Sequence, residues 1–404
     1  MTTITDPPGV AFRPHMLIND TRYRSYTFQV IALFLLIAAM AYLGWNLVQN
    51  LAAAGLNISY QFLGEPAGYD INQRPIQYTS QSTHLRAAIV GVINTLIVAF
   101  LACISATLLG IIAGVLRLSN NWIVSKLMAI YVEAFRNVPV LIWILIIFSI
   151  MTVSLPGPRE FRGDAATASM VLDAVAFTNR GIYIPKPIWG DGSMVVVVTF
   201  LLSLGAIFAY RRYATRLLYA TGQLLPTFWP SVGMFVLPSV LMFYVMGQPI
   251  GLEYPELRGF NFRGGLQIRG SLIALWFALA IYTGAFIAEN VRAGIQAISK
   301  GQTEAAASLG LRPGRIMSLV VLPQALRVII PPLISQYLNI TKNSSLAIAV
   351  GYMDITGTLG GITLNQTGRA IEAVLLLMLF YLVISLGISA VMNVYNNSVK
   401  LKER

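Results

Sequence analysis

Residues 302–323 read QTEAAASLGLRPGRIMSLVVLP and lie between two long apolar stretches of the chain. Within this segment, residues 303–309 are good helix formers, and Thr303 is available as a cap near the start. Gly310 can adopt the left-handed backbone conformation that ends a helix, and Pro323 is placed to begin the next one. The segment therefore predicts a separate helix of about two turns, set between two longer helices.

One side of this short helix is suited to contact with another protein. Ala305, Ala306 and Leu309 share that side, and the small alanines let a partner's backbone approach closely. Glu304 lies near the helix N-terminus, where negative charge is favoured, and Arg312 keeps the segment at a polar surface. The shape alone suits a simple amphipathic connector equally well. The spacing to the proline, and the position between apolar stretches, favour a docking element.

The rest of the chain is too apolar for a soluble protein. Of its 404 residues, 56% are hydrophobic and only 11% are charged, and the mean hydropathy is +0.69. Because a helix needs about 20 apolar residues to cross a membrane, the apolar runs predict an all-α polytopic membrane protein with about eight spans. The predicted spans are residues 27–48, 88–116, 123–153, 194–210, 228–247, 270–291, 324–345 and 371–396.

The distribution of charge predicts which loops face the cytoplasm. With the N-terminus inside, the inner segments carry sixteen basic residues against four acids, and the outer loops carry ten against nine. This asymmetry follows the positive-inside rule. It predicts that residues 1–26 and 397–404 are cytoplasmic tails and that residues 302–323 are also cytoplasmic. It also explains the basic pI of about 9.9 without any binding of nucleic acid.

The ends of the chain and its few cysteines and histidines predict no further chemistry. Residues 1–26 are polar and proline-containing, and the apolar run after them is too long for a signal peptide, so it is expected to remain as an anchor. Cys103 is the only cysteine, so no disulfide framework can form. His15 and His84 are too few and too distant in sequence to predict a metal site.

Several separated motifs follow one another along the chain. They are Asn94-Thr95-Leu96, Arg136-Asn137-Val138-Pro139, Ala285 with Glu289 and Arg292, Glu304-Ala305-Ala306 with Gly310 and Leu322-Pro323, and Lys342-Asn343-Ser344-Ser345-Leu346. In these motifs the chain resembles the permease subunits of bacterial ATP-binding-cassette (ABC) importers for polar amino acids. The fourth motif resembles their EAA loop. The longer layout of this chain looks like the general L-amino-acid permease branch.

The resemblance implies how the chain is organised. A five-helix core of the type I importer kind would be formed by residues 87–153 and 270–396, with an EAA coupling loop at 298–323. To this core the chain adds a first helix with a periplasmic loop, residues 27–86. It also adds an insertion, residues 154–269, with periplasmic loops and two further helices. The insertion either contacts a substrate-binding protein or braces the bundle.

The resemblance also implies partners and a location. It implies a subunit in the bacterial inner membrane that contacts lipids and passes polar L-amino acids. The expected partners are a second permease, a dimeric cytoplasmic ATPase and a periplasmic amino-acid-binding protein. The chain contains no G-x-x-x-x-G-K-[ST] loop, so it is expected to be non-catalytic, with ATP and Mg²⁺ on the partner ATPase. The residues expected to couple to that ATPase are Thr303, Glu304, Ala305, Ala306, Leu309, Gly310 and Arg312.

A break is expected within the third apolar run. Residues 123–153 are too many for one straight span, and Pro139 disfavours helical geometry in the residue before it. Glu133 and Arg136 would then lie near the cytoplasmic entrance, spaced to form an ion pair along the helix. A structural ion pair is the favoured interpretation of these two residues.

Glu289 and Arg292 repeat this spacing where the sixth span meets the cytoplasm. An unpaired charge deep in a bilayer is costly, which favours pairing or an interfacial position. A plain interfacial salt bridge is one interpretation. The resemblance implies another, in which Glu289, Arg292 and Arg136 transmit movement from the ATPase contact to the core.

Polar residues within the apolar spans are candidates for a substrate path. A polar cluster in a membrane must face protein or water, and these groups offer donors to a substrate carboxylate. Hydrogen bonding between helices explains them equally well. The candidates are Lys342, Asn343, Ser344 and Ser345, with Asn94 and Thr95 as weaker ones. Gly110 and Gly114 instead predict a face for close helix packing.

Two other kinds of function remain open from the residues alone. An ion-coupled secondary transporter acting without an ATPase would need carboxylates in mid-membrane and often has inverted repeats. The acids here fall mostly at interfaces, and no repeat is visible. The other is a membrane scaffold that transports nothing.

Overall fold

The architecture comes from a computed structural model that describes residues 16–55, 57–163 and 166–399. The chain divides into two units, Met1–Phe62 and Leu63–Arg404. The described part of the first unit contains a single turn at Met16–Asn19 and the helix α1, Thr21–Ala53. The large apolar side chains of α1 are exposed, as expected for a helix that faces lipid.

The helix α1 begins earlier than predicted. Residues 21–26 were expected to belong to a cytoplasmic tail, but they continue the helix, and the Arg24 amide donates to the carbonyl of Asp20 at 2.8 Å. Arginine and tyrosine are compatible with a helix, so the loss of apolarity does not end it. The predictions for residues 1–15 and 400–404 lie outside the described residues.

The second unit is predominantly helical. Its main helices are α2 His84–Leu116, α3 Trp122–Asn137, α4 Val140–Ser154, α5 Ser193–Thr221, α6 Phe228–Val245, α7 Gly270–Gln296, α8 Lys300–Ser308, α9 Leu322–Asn343 and α10 Ala370–Val399. Short helical turns occur at Gln61–Gly64, across the boundary between the units, and at Pro158–Phe161, Pro313–Ile316 and Leu364–Thr367. Across both units, seven described helices are long and apolar enough to span a membrane, or eight if α3 and α4 form one span. The expected number of spans is therefore confirmed.

The expected break at Pro139 is present. The helices α3 and α4 meet at 106°, and Val138 between them has an extended backbone, with φ −113° and ψ 133°. The ring of the following proline excludes the helical conformation at this residue. Two short helices therefore replace the single long one.

The helix α7 lies at the centre of the bundle, packed closely against α2. A Cβ atom added at Gly110 would come within 2.5 Å of the Ile287 side chain, and one added at Gly114 within 2.6 Å of the Ala288 carbonyl. Only glycine permits this approach, because any side chain would overlap the facing helix. The predicted close-packing face is confirmed.

The helix around Pro323 differs from the prediction. Pro323 lies in the first turn of α9, as predicted, but α9 continues a helical run that starts at Pro313 and widens into a π turn at Met317–Val321. The run then tightens into a 3-10 helix at Ser344–Val350. A proline inside a helix clashes with the carbonyl four residues before it, and a π turn at that place relieves the clash.

The insertion carries short strands as well as helices. These are β1 Ala176–Thr178, β2 Gly181–Ile184, β3 Lys186–Trp189, β4 Ile250–Glu253, β5 Glu256–Arg258, β6 Asn261–Arg263 and β7 Leu266–Arg269. They form one antiparallel sheet in the order β1-β2-β7 and two antiparallel pairs, β3-β4 and β5-β6. All of them lie at the end of the bundle where α4 and α6 end and α7 begins, which we call the strand end.

The helix α5 is longer than predicted. Residues 211–217 were assigned to a loop, but α5 continues through them to Thr221 and ends at Gly222, whose φ is +75°. Arginines are good helix formers, and their long side chains extend toward water while the backbone stays helical. The Arg211 side chain donates to Ser231 of α6 at 3.3 Å, so this arginine helps to join the predicted hairpin.

Candidate functional site

The segment that resembles an EAA loop forms the helix α8, at the end of the bundle opposite the strand end. We call this the α8 end. Ser299 precedes the helix with an extended backbone, and Gly310 follows it with φ +76°, the left-handed conformation that was predicted. Thr303 does not cap the helix start. Its hydroxyl lies inside the helix and donates to the Lys300 carbonyl at 2.7 Å. The helix begins earlier than expected because residues 300–302 also fit a helix.

The side chains of α8 separate into an inner and an outer set. Ala306 is only 4% exposed and faces the bundle, whereas Leu309 is 80% exposed. These two were predicted to share a side, but Leu309 ends the helix, so helical periodicity no longer sets its direction. Glu304, Ala305 and Leu309 are all exposed. We call these three residues the outer face of α8. Arg312, just after the helix, is exposed as well.

The helix α8 is connected to the bundle through α9. It packs against the π turn, and α9 in turn packs tightly on α7, where a Cβ atom added at Gly294 would come within 2.4 Å of Ile329. Such a close contact leaves no room for independent movement of α7 and α9. A displacement of α8 therefore has a packed route to the centre of the bundle.

An ion cluster joins α2, α3 and α7 at the same end. Glu289 pairs with Arg292, whose Nε lies 3.2 Å from each carboxylate oxygen, and it also pairs with Arg117. Arg117 in addition lies 3.6 Å from the Glu133 carboxylate. The side chains of Glu289 and Arg117 are 23% and 17% exposed, so water screens their interaction only in part. The predicted pairing of Glu289 with Arg292 is confirmed.

Arg117 was missed from the sequence. It is the C-cap of α2, where its positive charge is favoured by the helix dipole. Its position directly after a long apolar run was a usable signal, but the acids that it contacts lie on other helices. Only the packing of α2 against α7 brings the Arg117 guanidinium to Glu289.

The predicted ion pair of Glu133 with Arg136 is absent. Glu133 contacts Arg117 and accepts from the Asn137 amide at 3.4 Å. The Arg136 guanidinium instead lies 5.2 Å from the centre of the Phe286 ring, a cation–π distance. Spacing along a helix permits a pair but does not enforce it, and a facing aromatic ring offered Arg136 another partner.

Asn94 and Thr95 form hydrogen bonds to the loop that contains Met353 and Ile355. Both are buried in α2, and the Asn94 amide nitrogen donates to the carbonyls of Gln73, at 3.1 Å, and Met353, at 2.9 Å. The Thr95 hydroxyl donates to the Gly91 carbonyl and accepts from the Ile355 amide at 3.2 Å. Their donors are therefore occupied by backbone groups. For these two residues the structure favours the alternative, hydrogen bonding within the protein, over a role in the substrate path.

In the cluster at residues 342–345, the two serines are likewise hydrogen-bonded within the protein. Ser344 is buried and donates to Thr341 at 2.7 Å, and Ser345 donates to Lys342 at 2.8 Å, so both hydroxyls are bound within the helical run. Lys342 is exposed and Asn343 is half-buried. Lys342 is the one exposed residue of these four, so its ammonium group is the group that a ligand can reach most readily.

A buried carboxylate that the sequence did not single out lies at the strand end. Asp354 is 0% exposed and accepts from the Gly357 amide at 2.8 Å and from the Tyr381 hydroxyl at 3.2 Å. Burial raises its pKa to about 6, against the lowering effect of these hydrogen bonds. Asp354 precedes the π turn Thr356–Thr363, so its protonation acts on the same loop that Asn94 and Thr95 hold.

Comparisons with known proteins agree on the kind of protein. The family described as "Binding-protein-dependent transport system inner membrane component" matches residues 202–401. The chain is 52% identical to the glutamate/glutamine/aspartate/asparagine transport system permease protein BztB of Rhodobacter capsulatus, over 100% of both chains. It is 44% identical to the putative amino-acid ABC transporter permease protein YhdX of Escherichia coli, over 94% of this chain and 95% of the relative. It is 41% identical to the general L-amino acid transport system permease protein AapQ of Rhizobium johnstonii, over 100% of this chain and 98% of the relative.

Proposed function

This chain belongs to the permease subunits of polar amino-acid ABC importers, in the general L-amino-acid branch, and on that premise we propose that it forms one half of a heterodimeric permease. In this role it passes polar L-amino acids across the bacterial inner membrane. The names of its relatives, which include acidic amino acids and their amides, support that substrate class. Membership of this family decides against the ion-coupled secondary transporter.

A dimeric cytoplasmic ABC ATPase supplies the energy by docking on α8. The ATPase binds ATP and Mg²⁺, and this chain is a non-catalytic subunit. The observation that carries this proposal is the outer face of α8, where Leu309 is 80% exposed at the end of a short helix. A large apolar side chain exposed beside an alanine and a carboxylate is suited to a cleft on another protein.

Movement of the docked helix reaches the bundle through packed contacts and charges. Closure of the ATPase dimer displaces α8, and the tight contact of Gly294 with Ile329 passes the displacement from α9 to α7. The pairing of Glu289 with Arg117 and Arg292 makes α2 and α7 move together. Arg136 belongs to the same transmission route through its contact with Phe286.

The path for the substrate lies along the exposed surface that carries Lys342 and Asn343. A charged ammonium group within a membrane span must face water or protein, because lipid cannot solvate it. This surface is therefore covered by the second permease or lines the aqueous path between the two subunits. The ammonium group is suited to a substrate carboxylate.

In the proposed orientation, α8 lies on the cytoplasmic side of the membrane. The positive-inside count supports cytoplasmic N- and C-termini and a cytoplasmic α8 end. The strand end then faces the periplasm, where an amino-acid-binding protein delivers its ligand. The sheet β1-β2-β7 of the insertion lies on that side, in a position to contact the binding protein.

Reversal of charge on the outer face of α8 tests the coupling. In the purified complete importer, Glu304→Arg is expected to abolish most of the ATPase stimulation caused by the loaded binding protein. The mutant complex should still assemble, because Glu304 is exposed and has no ion pair among the described residues. The measurements are ATP hydrolysis and uptake in proteoliposomes.

A matched charge reversal at the opposite end serves as the control. Glu253→Arg changes an exposed carboxylate on β4 and should leave the coupling of ATP hydrolysis to uptake as in the wild type. Wild-type transport by the Glu304→Arg complex would contradict the proposed role of α8.

A further inference from the structure

A polar cavity of about 360 Å³ opens at the strand end, between the sheet β1-β2-β7 and the start of α7. This volume falls within the range of roughly 300–1,000 Å³ that is typical of small-molecule sites. Its polar lining includes Asn179, Arg180, Asn261, Gln267, Arg269 and Ser271. No carboxylate is among the described residues that line it.

The cavity is strongly electropositive for its size. Neither Arg180 nor Arg269 forms an ion pair with any carboxylate in the described part of the chain. The backbone amides at the first turn of α7 add to the positive potential, since the N-terminus of a helix attracts anions. Two guanidinium groups without a protein anion are suited to bind a carboxylate, which they can contact through paired hydrogen bonds.

The strand register brings the two arginines together. Gly181 pairs with Arg269 across β2 and β7, so Arg180, just before Gly181, lies beside Arg269. The Arg180 carbonyl accepts from the Gln267 side chain at 3.3 Å and from the Gly270 amide at 3.4 Å. The cavity is thus built by defined backbone pairing.

Two asparagine side chains in the cavity wall differ in their hydrogen bonding. The Tyr183 hydroxyl donates to Asn261 Oδ1 at 2.9 Å, which orients that amide. Asn179 Oδ1 is buried and has no hydrogen-bond partner within the described residues. Buried polar atoms are almost always paired, so an unpaired acceptor in a cavity wall is consistent with a ligand that brings a donor.

The cavity also borders the region proposed for the substrate path. Val350 and Gly351 line it, and they end the 3-10 helix that begins at Ser344. At a rise of about 2 Å per residue, the cavity lies roughly 12 Å beyond the cluster at residues 342–345. Lys342 is the next cation along this helical run.

We propose that this cavity, which we call the arginine vestibule, receives the carboxylate of an amino acid released from the binding protein, before the amino acid moves inward. The vestibule is an additional site in the permease subunit, and its role rests on the proposed function. The volume of the cavity, which is within the range typical of small-molecule sites, favours a free amino acid over an acidic side chain of a docked protein. Acidic amino acids carry a second carboxylate, so both arginines can be used at once.

The test separates capture of the amino acid from docking of the binding protein. The complete importer is reconstituted in proteoliposomes, and uptake of radiolabelled L-glutamate is measured as the concentration of glutamate-loaded binding protein is varied. Arg180→Gln and Arg269→Gln are each expected to lower the maximal rate about tenfold, because each removes a charge-assisted hydrogen bond. The half-saturating concentration of the binding protein should not change. Arg180→Lys and Arg269→Lys, which keep the charge, should recover part of the rate.

The matched control is Arg263→Gln, which removes an exposed arginine on β6 outside the cavity and should retain wild-type kinetics. A raised half-saturating concentration with an unchanged maximal rate would overturn the proposal, because the arginines would then contact the binding protein. Wild-type kinetics in both glutamine variants, or an equal loss in the Arg263→Gln control, would also overturn it. A wild-type importer without ATP-dependent uptake would instead refute the proposed function itself.

Discussion

Removal of the central carboxylate of the ion cluster is expected to destabilise the α8 end measurably. Glu289→Gln removes the carboxylate that Arg117 and Arg292 share, so that Arg292 loses its anion and Arg117 keeps only the more exposed Glu133, while the two arginine side chains remain 17% and 29% exposed. Removing one partner from a fully buried pair costs roughly 3–5 kcal/mol. Partial exposure lets water screen the remaining charges, so about 2 kcal/mol is expected here.

The assay is the apparent melting temperature of the purified complex, followed by size-exclusion chromatography after heating. For a chain of 404 residues, a loss of about 2 kcal/mol corresponds to a fall of about 2 °C. The matched control is Glu133→Gln, which also removes a carboxylate next to Arg117 but from a side chain that is 58% exposed. The control should change the melting temperature by no more than about 1 °C, since exposed pairs contribute little.

A double variant sharpens the same test. Arg117→Gln combined with Glu289→Gln removes one of the two cations that lose the Glu289 carboxylate and should recover part of the lost stability, so the effects of the single variants will not add. Equal melting temperatures for Glu289→Gln and Glu133→Gln would refute the reasoning that Glu289 holds α2 and α7 together.

Two further predictions concern the loop at residues 350–363. Gly91→Ala should destabilise the protein by about 1–3 kcal/mol, because the added Cβ atom would lie 2.2 Å from Thr358 Oγ1 and 2.9 Å from the Ile355 Cα atom. Gly205→Ala on α5, with nothing within 4 Å, should be neutral in the same melting assay, and equal effects would contradict the packing argument. Asp354 has a folded-state pKa raised to about 6 from 3.8, so its contribution to stability is full below pH 4 and is lost as the pH rises to about 6. Asp354→Asn should abolish a pH-dependent loss of roughly 3 kcal/mol, and a wild-type melting temperature that does not fall between pH 4.5 and 7 would contradict this assignment.

Features that depend on local sequence were predictable. The apolar runs located the spans, because burial in lipid is a property of about 20 consecutive residues. Pro139 predicted the break between α3 and α4, since a proline restricts the residue before it whatever surrounds them. The left-handed conformation of Gly310 was predictable for the same kind of reason. The strands of the insertion were not predictable, because runs of three or four residues are too short to show the alternation of apolar and polar residues.

The partners of the polar residues were decided by the tertiary structure. Glu133 and Arg136 had the spacing of an ion pair, but Glu133 contacts Arg117 and Arg136 contacts Phe286, because α2 and α7 bring these groups closer. Asn94 and Thr95 bond to a loop about 260 residues away in the chain. The arginine vestibule likewise combines Arg180 with Arg269 through strand pairing that no local pattern indicates. The sequence by itself thus determined which segments enter the membrane and where helices break or end, because periodicity, apolarity and backbone restriction act over a few neighbouring residues. Only the tertiary structure decided which charges and amides meet, because that depends on how distant helices and strands pack against one another.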